Sequence, residues 1–182
     1  MTEESVKELI LRFKRGEEKA FNELVNLYKK GIFNLVLRMV RNREDAMDLT
    51  QEVFVKAYRS LDDFRGDSSF STWLHRIAVN LSLNFTQRDK FRSFISLPDI
   101  ASPITSPDSP SSDFERKELD KTLDQAVSSL PGKQRSVFVL RYYEELPYSE
   151  IASILEKNEG TIKANYFQAV RKLRKFLAHL LE

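Results

Sequence analysis

"YSEIASILEKNEGTIKANYFQAVRKLRKFL", Tyr148 to Leu177, is the stretch whose reading decides the fold. Its first part reads as a short helix near Tyr148 to Leu155. Lys157 and Asn158 make a turn, Asn158 is a short polar cap, and a long helix follows from Glu159 to about Leu181. Short helix, tight turn and long helix is the outline of a helix-turn-helix, and equally of an ordinary helical hairpin. The long helix separates the two readings. On a helical wheel Ile162, Tyr166, Ala169, Val170, Leu173, Phe176, Leu177 and Leu180 share one side, the core stripe. The other side carries Ala164, Phe167, Gln168, Arg171 and Lys175, flanked by Lys163 and Arg174. A solvated face accounts for the bases but leaves Phe167 unexplained. A face laid in the major groove accounts for all of them, with Phe167 against a thymine methyl, Gln168 toward an adenine edge, and Lys163 and Arg171 to phosphate or guanine.

Outward from this stretch, apolar residues recur at three and four, and no alternation is long enough for a strand. The chain reads as all-α. Helices are expected near Glu4 to Arg15, Lys19 to Met39, Glu44 to Ser60 behind an Asn42 cap, and Phe70 to Lys90 behind Ser68 or Ser69. Four helices can close one core. "SLPDIASPITSPDSPSSD" (Ser96 to Asp113) then brings four Pro and little to bury, and reads as a flexible linker. As a flexible chain it would span roughly 25 Å. Helices resume at Phe114 to Ser129 and at Pro131 to Tyr143, with Pro at the first helical position. The expected architecture is two small helical domains, 1–94 and 114–182, joined by a flexible Pro/Ser-rich linker over 95–113, the second domain containing the helix-turn-helix.

Composition narrows the function. The 182 residues are 41% hydrophobic and 31% charged, as in a globular protein. There is no Cys and only two His, so neither a disulfide framework nor a usual zinc site can be built, and no cofactor is expected. "MTEESVKELILRFKRGEEKAF" puts acids before a short apolar stripe, the wrong order for a secretory signal, and no apolar run approaches the roughly 18 residues of a membrane span. No membrane insertion is expected, and the cytoplasm is the expected location. The net charge of +2 hides a segregation of signs: Glu44 to Glu52 holds four acids and no base, and Gly160 to Lys175 five bases and no acid. One stretch suits a basic protein surface, the other a polyanion.

Within "EDAMDLTQEVFVKAY" (Glu44 to Tyr58), Asp48, Gln51 and Glu52 share a face by their spacing, with Leu49, Val53 and Phe54 on another. Acids near a helix start answer the helix dipole, which covers Glu44 and Asp45 but not Gln51 and Glu52, a turn or two further in. A protein contact fits those better than a metal-carboxylate site, for which neither His offers a matching spacing. "FRGDSSFSTWLHRIAVN" (Phe64 to Asn80) crowds aromatic and hydrogen-bonding side chains, including the only Trp, at one helix entrance. On that helix Phe70, Leu74, Ile77, Leu81 and Phe85 form the expected buried stripe, leaving Arg76, Asn80 and Asn84 outside it. A lone Trp at helical spacing is usually core, so Trp73 is weighed below Phe64, Arg76 and Asn80.

Taken together, "DAMDLTQEVFVKAYRSLDDFRGDSSFSTWLHRIAVN", the Pro/Ser linker and "LPGKQRSVFVLRYYEELPYSEIASILEKNEGTIKANYF" resemble a bacterial RNA polymerase sigma factor of the extracytoplasmic-function group of the sigma-70 family. The resemblance covers nearly the whole chain apart from the linker. It implies a first domain that binds the clamp helices of the polymerase large subunit and melts the promoter minus-ten element. It implies a second domain that reads the minus-thirty-five element and meets the polymerase flap. Asp48, Gln51 and Glu52 then match the polymerase-binding motif. Phe64, Arg65 and Ser68 lie in the loop that holds a base flipped out of the duplex, and Arg76, Asn80 and Asn84 match the face that meets the non-template strand. Thr161, Lys163, Ala164, Phe167, Gln168, Arg171 and Arg174 fall on the recognition helix. An anti-sigma factor covering the same surfaces is implied by the resemblance alone. The chain departs from many members at Ala164, Asn165, Gln168 and Val170; Val170 lies at the core edge, whereas Gln168 points outward and should change base preference.

The residues thus point to a transcription initiation factor that performs no covalent chemistry and works only with core RNA polymerase on duplex and single-stranded promoter DNA. The leading alternative is a helix-turn-helix regulator acting without joining polymerase, which predicts specific binding to a palindrome by the isolated protein. A metal enzyme built on Asp48 and Glu52 is the third class.

Overall fold

The computed structural model of the chain describes residues 2–95 and 114–178, and these form helices and connecting turns with no strand among them. The Pro/Ser-rich linker and the end of the last expected helix, with Leu180, lie outside the described residues.

The first helix, α1 (Glu3–Lys14), starts at Thr2 and buries Val6, Leu9, Ile10 and Phe13 at helical spacing. The chain turns at Gly16, whose φ of +94° is in the left-handed region that favours glycine. The long α2 (Glu18–Val40) lines the core with Leu24, Ile32, Leu35, Val36 and Met39. It stops at Arg41, which is left-handed at φ 68°. The Asn42 side chain then accepts from the amides of Glu44 (2.8 Å) and Asp45 (3.1 Å) and starts α3 (Arg43–Ser60). Such a cap is worth about 1 kcal/mol. Leu49, Val53 and Phe54 of α3 face the core as the spacing requires. Of the two candidate caps for α4 (Phe70–Ile95), Ser69 does the capping: its Oγ accepts from the Thr72 amide at 3.0 Å.

The second unit runs through α5 (Phe114–Ser129), α6 (Gly132–Tyr142), α7 (Tyr148–Leu155) and α8 (Glu159–Ala178). Pro131 sits one position earlier than expected, at the N-cap of α6 with an extended ψ of 143° rather than inside the first turn. Its missing N–H costs nothing at either place. Val137, Leu140, Ile151, Ile154, Ile162 and Leu173 are buried together and fix the helix-turn-helix.

The units are packed against each other, with α6 and α7 lying on α2 and α4. This changes α4. Phe70, Leu74 and Ile77 are buried as expected and Leu81 and Phe85 half-buried, but Thr72, His75, Val79 and Ser82 are buried too. A single apolar stripe is what a helix with one wet side shows, whereas α4 has a neighbour on both sides.

Candidate polymerase and promoter-binding faces

The outward side of α3 is the first candidate face. Asp48, Gln51 and Glu52 are all exposed there, as their spacing predicts. Two residues that charge reasoning missed share this side: Met47 is 49% and Val55 48% exposed, large apolar groups among carboxylates. Partial burial, then Asp89 of α4, Asp48 and Glu44 push the Asp45 carboxyl above its ordinary value. Crowded carboxylates beside exposed Met and Val make a surface suited to a basic, partly apolar partner.

The second face is the α3–α4 loop with the entrance of α4. Phe64 is half-buried against Phe70 (6.1 Å between ring centres) and Trp73 (5.2 Å). Trp73 is therefore neither fully core nor free; it is half-buried and backs Phe64. Gly66 turns the loop at a φ of +80°, which no ordinary side chain adopts without strain. Lys14 of α1 donates to the carbonyls of Asp62 (2.9 Å) and Phe64 (2.7 Å), holding the loop from beneath. No local pattern predicts that contact, because 48 residues separate Lys14 from Asp62.

Between loop and helix lies a cavity of about 280 Å³ walled by Phe64, Arg65, Ser68, Trp73 and Arg76. That is near the lower end of the roughly 300–1,000 Å³ of small-ligand sites. Arg65 stands in solvent and pairs loosely with Asp67 at 3.5 Å. Asn80 and Asn84 continue the face along α4 and are exposed. Arg76 departs from the expected open position. It is half-buried, and its Nη2 donates to the carbonyl oxygen of Ser153 in α7 at 2.8 Å.

The third face is on α8. Asn158 Oδ1 accepts from the Thr161 amide at 2.8 Å, after Glu156 has turned the chain through the left-handed region at φ 53°. Beyond this cap Ile162, Ala169 and Leu173 point into the core. Lys163, Ala164, Arg171 and Arg174 are exposed, and Phe167 is 64% exposed, a large ring left in water. Thr161 and Gln168 are half-buried at the edge of this face. Lys163 leans on Glu159 at 3.3 Å and over the Tyr148 ring.

The three candidate faces thus offer an aromatic-lined cavity followed by exposed asparagines, a basic helix side bearing an exposed ring, and an acidic, partly apolar surface. The sequence matches the family Sigma-70 region 2 over residues 24–92 and Sigma-70, region 4 over residues 120–173. It is 35% identical to the RNA polymerase sigma-H factor of Pseudomonas aeruginosa, covering all of this chain and 98% of that protein. It is 34% identical to the ECF RNA polymerase sigma factor SigW of Bacillus subtilis, over 96% and 98% of the two chains. The fold is similar to that of the sigma factor RpoE in its co-crystal with the anti-sigma factor NepR from Bartonella quintana. That match has a TM-score of 0.71 and 22% identity, over 88% of this chain and 98% of that one. The chain belongs to the extracytoplasmic-function group of sigma-70 family RNA polymerase sigma factors. No helix among the described residues is long and apolar enough to cross a membrane.

Proposed function

We propose that the chain divides its work between residues 1–94, which engage polymerase and the minus-ten element, and 114–182, which read the minus-thirty-five element, with 95–113 joining them. Asp48, Gln51 and Glu52, with Met47 and Val55, contact the clamp helices. Lys163, Ala164, Phe167, Gln168, Arg171 and Arg174 enter the major groove behind Thr161 at the helix start. The factor acts by binding alone, with no covalent step and no cofactor. Polymerase sets the spacing of the two units, and the first unit favours unpaired over paired bases, so opening follows from differential affinity. An anti-sigma factor is a fitting further partner, as for the Bartonella quintana relative.

The observation that carries the reading is the cavity between Phe64, Trp73 and Arg76 at the head of the exposed asparagine row. Unstacking a base must be offset, and an aromatic wall offers about 1–3 kcal/mol per base. The test is permanganate footprinting of a reconstituted holoenzyme on a promoter fragment selected from genomic DNA. Phe64→Ala with Asn80→Ala should lower bubble formation about tenfold or more, with helicity and affinity for core polymerase retained. A bubble of undiminished size would overturn the assignment.

A further inference from the structure

The α3–α4 loop that walls the base cavity is held from a distance. Its first turn is local: the Phe64 amide donates to the Leu61 carbonyl at 3.1 Å, and Leu61 is fully buried. Beyond Phe64 that local support ends. Among the described residues, Arg65, Gly66, Asp67 and Ser68 make no backbone-to-backbone hydrogen bond, and Gly66 passes through the left-handed region. The other side of Phe64 is fixed from α1, where Lys14 Nζ donates to the Phe64 carbonyl at 2.7 Å and to the Asp62 carbonyl at 2.9 Å. An ammonium has three donors and no acceptor, so it can serve two carbonyls at once. Lys14 is itself kept in place by its neighbour. Phe13 is buried and meets Tyr58 edge-on with 5.2 Å between ring centres, which keys the end of α1 to the end of α3, where the loop departs.

We infer that Lys14 is a positioning residue for base capture: through the backbone of Asp62 and Phe64 it holds the Phe64 ring at the cavity wall, and so sets how strongly the holoenzyme senses an unpaired base. The inference rests on the proposed role of that cavity. It asks more of Lys14 than stability. Both bonds lie at the exposed surface, so water can take over the two carbonyls when the ammonium is removed, and the fold loses little. What is lost is the position of the loop. Phe64 is only half-buried against Phe70 and Trp73, and a wall that is not preorganised must be ordered when the base arrives, at a cost in affinity. A direct phosphate contact by Lys14 is the competing reading, and the two respond to different things. A phosphate contact weakens binding with or without a base and carries a share of the salt dependence, whereas an anchor matters only when there is a base to hold.

The test uses reconstituted holoenzyme and a partly single-stranded fragment of the selected promoter, with the non-template minus-ten bases unpaired and an abasic nucleotide replacing each in turn. In the wild type one such removal should weaken binding roughly tenfold, the scale of a single base-aromatic stack. Lys14→Met takes away the donors at similar side-chain length and should shrink that difference to about twofold or less, as expected of an unordered wall. Binding to the abasic probe, its salt dependence, affinity for core polymerase and the unfolding midpoint should all stay at their wild-type values. Lys14→Arg keeps a charged donor in reach and should restore most of the difference. Undiminished base sensitivity in Lys14→Met would overturn the inference, as would a loss that Lys14→Arg does not relieve. An equal loss on intact and abasic probes, with a shallower salt dependence, would also overturn it by making Lys14 a phosphate contact. Failure of the cavity reading looks different: Phe64→Ala would then keep the wild-type sensitivity to base removal, whatever Lys14→Met does.

Discussion

The two candidate DNA-contacting helices, α4 and α8, are packed in opposite ways. α8 has one side in the core and one largely in water, with Phe167 exposed there and Thr161 and Gln168 half-buried at the edge. α4 is buried on both flanks, and its reading side begins under another part of the same chain. The candidate face of α8 is thus largely open, whereas that of α4 is covered at its start by α7.

The contrast is broken most forcibly by Leu74→Ala. Leu74 is fully buried in α4, so its truncation removes transfer energy and leaves a cavity, for an expected loss of about 2–5 kcal/mol in denaturant unfolding. Phe167→Ala on α8 should behave in the reverse manner. Its ring touches water, so stability should move by no more than about 0.5 kcal/mol. Retention of the minus-thirty-five fragment by the holoenzyme should fall roughly tenfold, because an apolar contact to the groove is lost. Loss of stability without loss of retention would return Phe167 to the core.

The same contrast explains what could be read from the residues alone. Helix starts were legible because Asn42 and Asn158 are short polar side chains placed just before apolar periodicity, and each does accept the amides expected of a cap. The face of α8 was legible because a helix with solvent on one side displays a single stripe. The wheel of α4 placed Phe70, Leu74 and Ile77 correctly but put Arg76 in the open, because a wheel knows nothing of a neighbour 77 residues away in sequence. Lys14 beneath the Phe64 loop escaped for the same reason. Met47 and Val55 were hidden by their chemistry: apolar residues on a helix are assigned to the core by default, and only their exposure sets them apart from it.

The smallest expected effect concerns His75, on the flank of α4 that the second unit covers. Burial holds its imidazole below the ordinary value of 6.5, against the opposing pull of Glu150 and of the Ser71 backbone. Glu144 in the α6–α7 turn stands 3.9 Å from Nε2, and burial pushes its own carboxyl up, with Arg38 opposing. A base whose pKa is depressed by packing resists a proton that the opened or unfolded chain accepts. The packing is therefore fully favoured above the ordinary value and weakens as the pH falls from there toward the depressed one. Glu144 acts with the other sign, since protonating a buried carboxyl relieves its cost, and it does so as the pH descends toward the carboxylate range. The loss from His75 therefore begins just below 6.5, and Glu144 offsets it as the pH descends further. Unfolding midpoints measured in small steps from pH 7.5 to 5.5 should start to fall below 6.5 in the wild type and fall less in His75→Gln. A fall that survives the substitution undiminished would assign the titration to another group and remove His75 from the closure between α4 and the second unit.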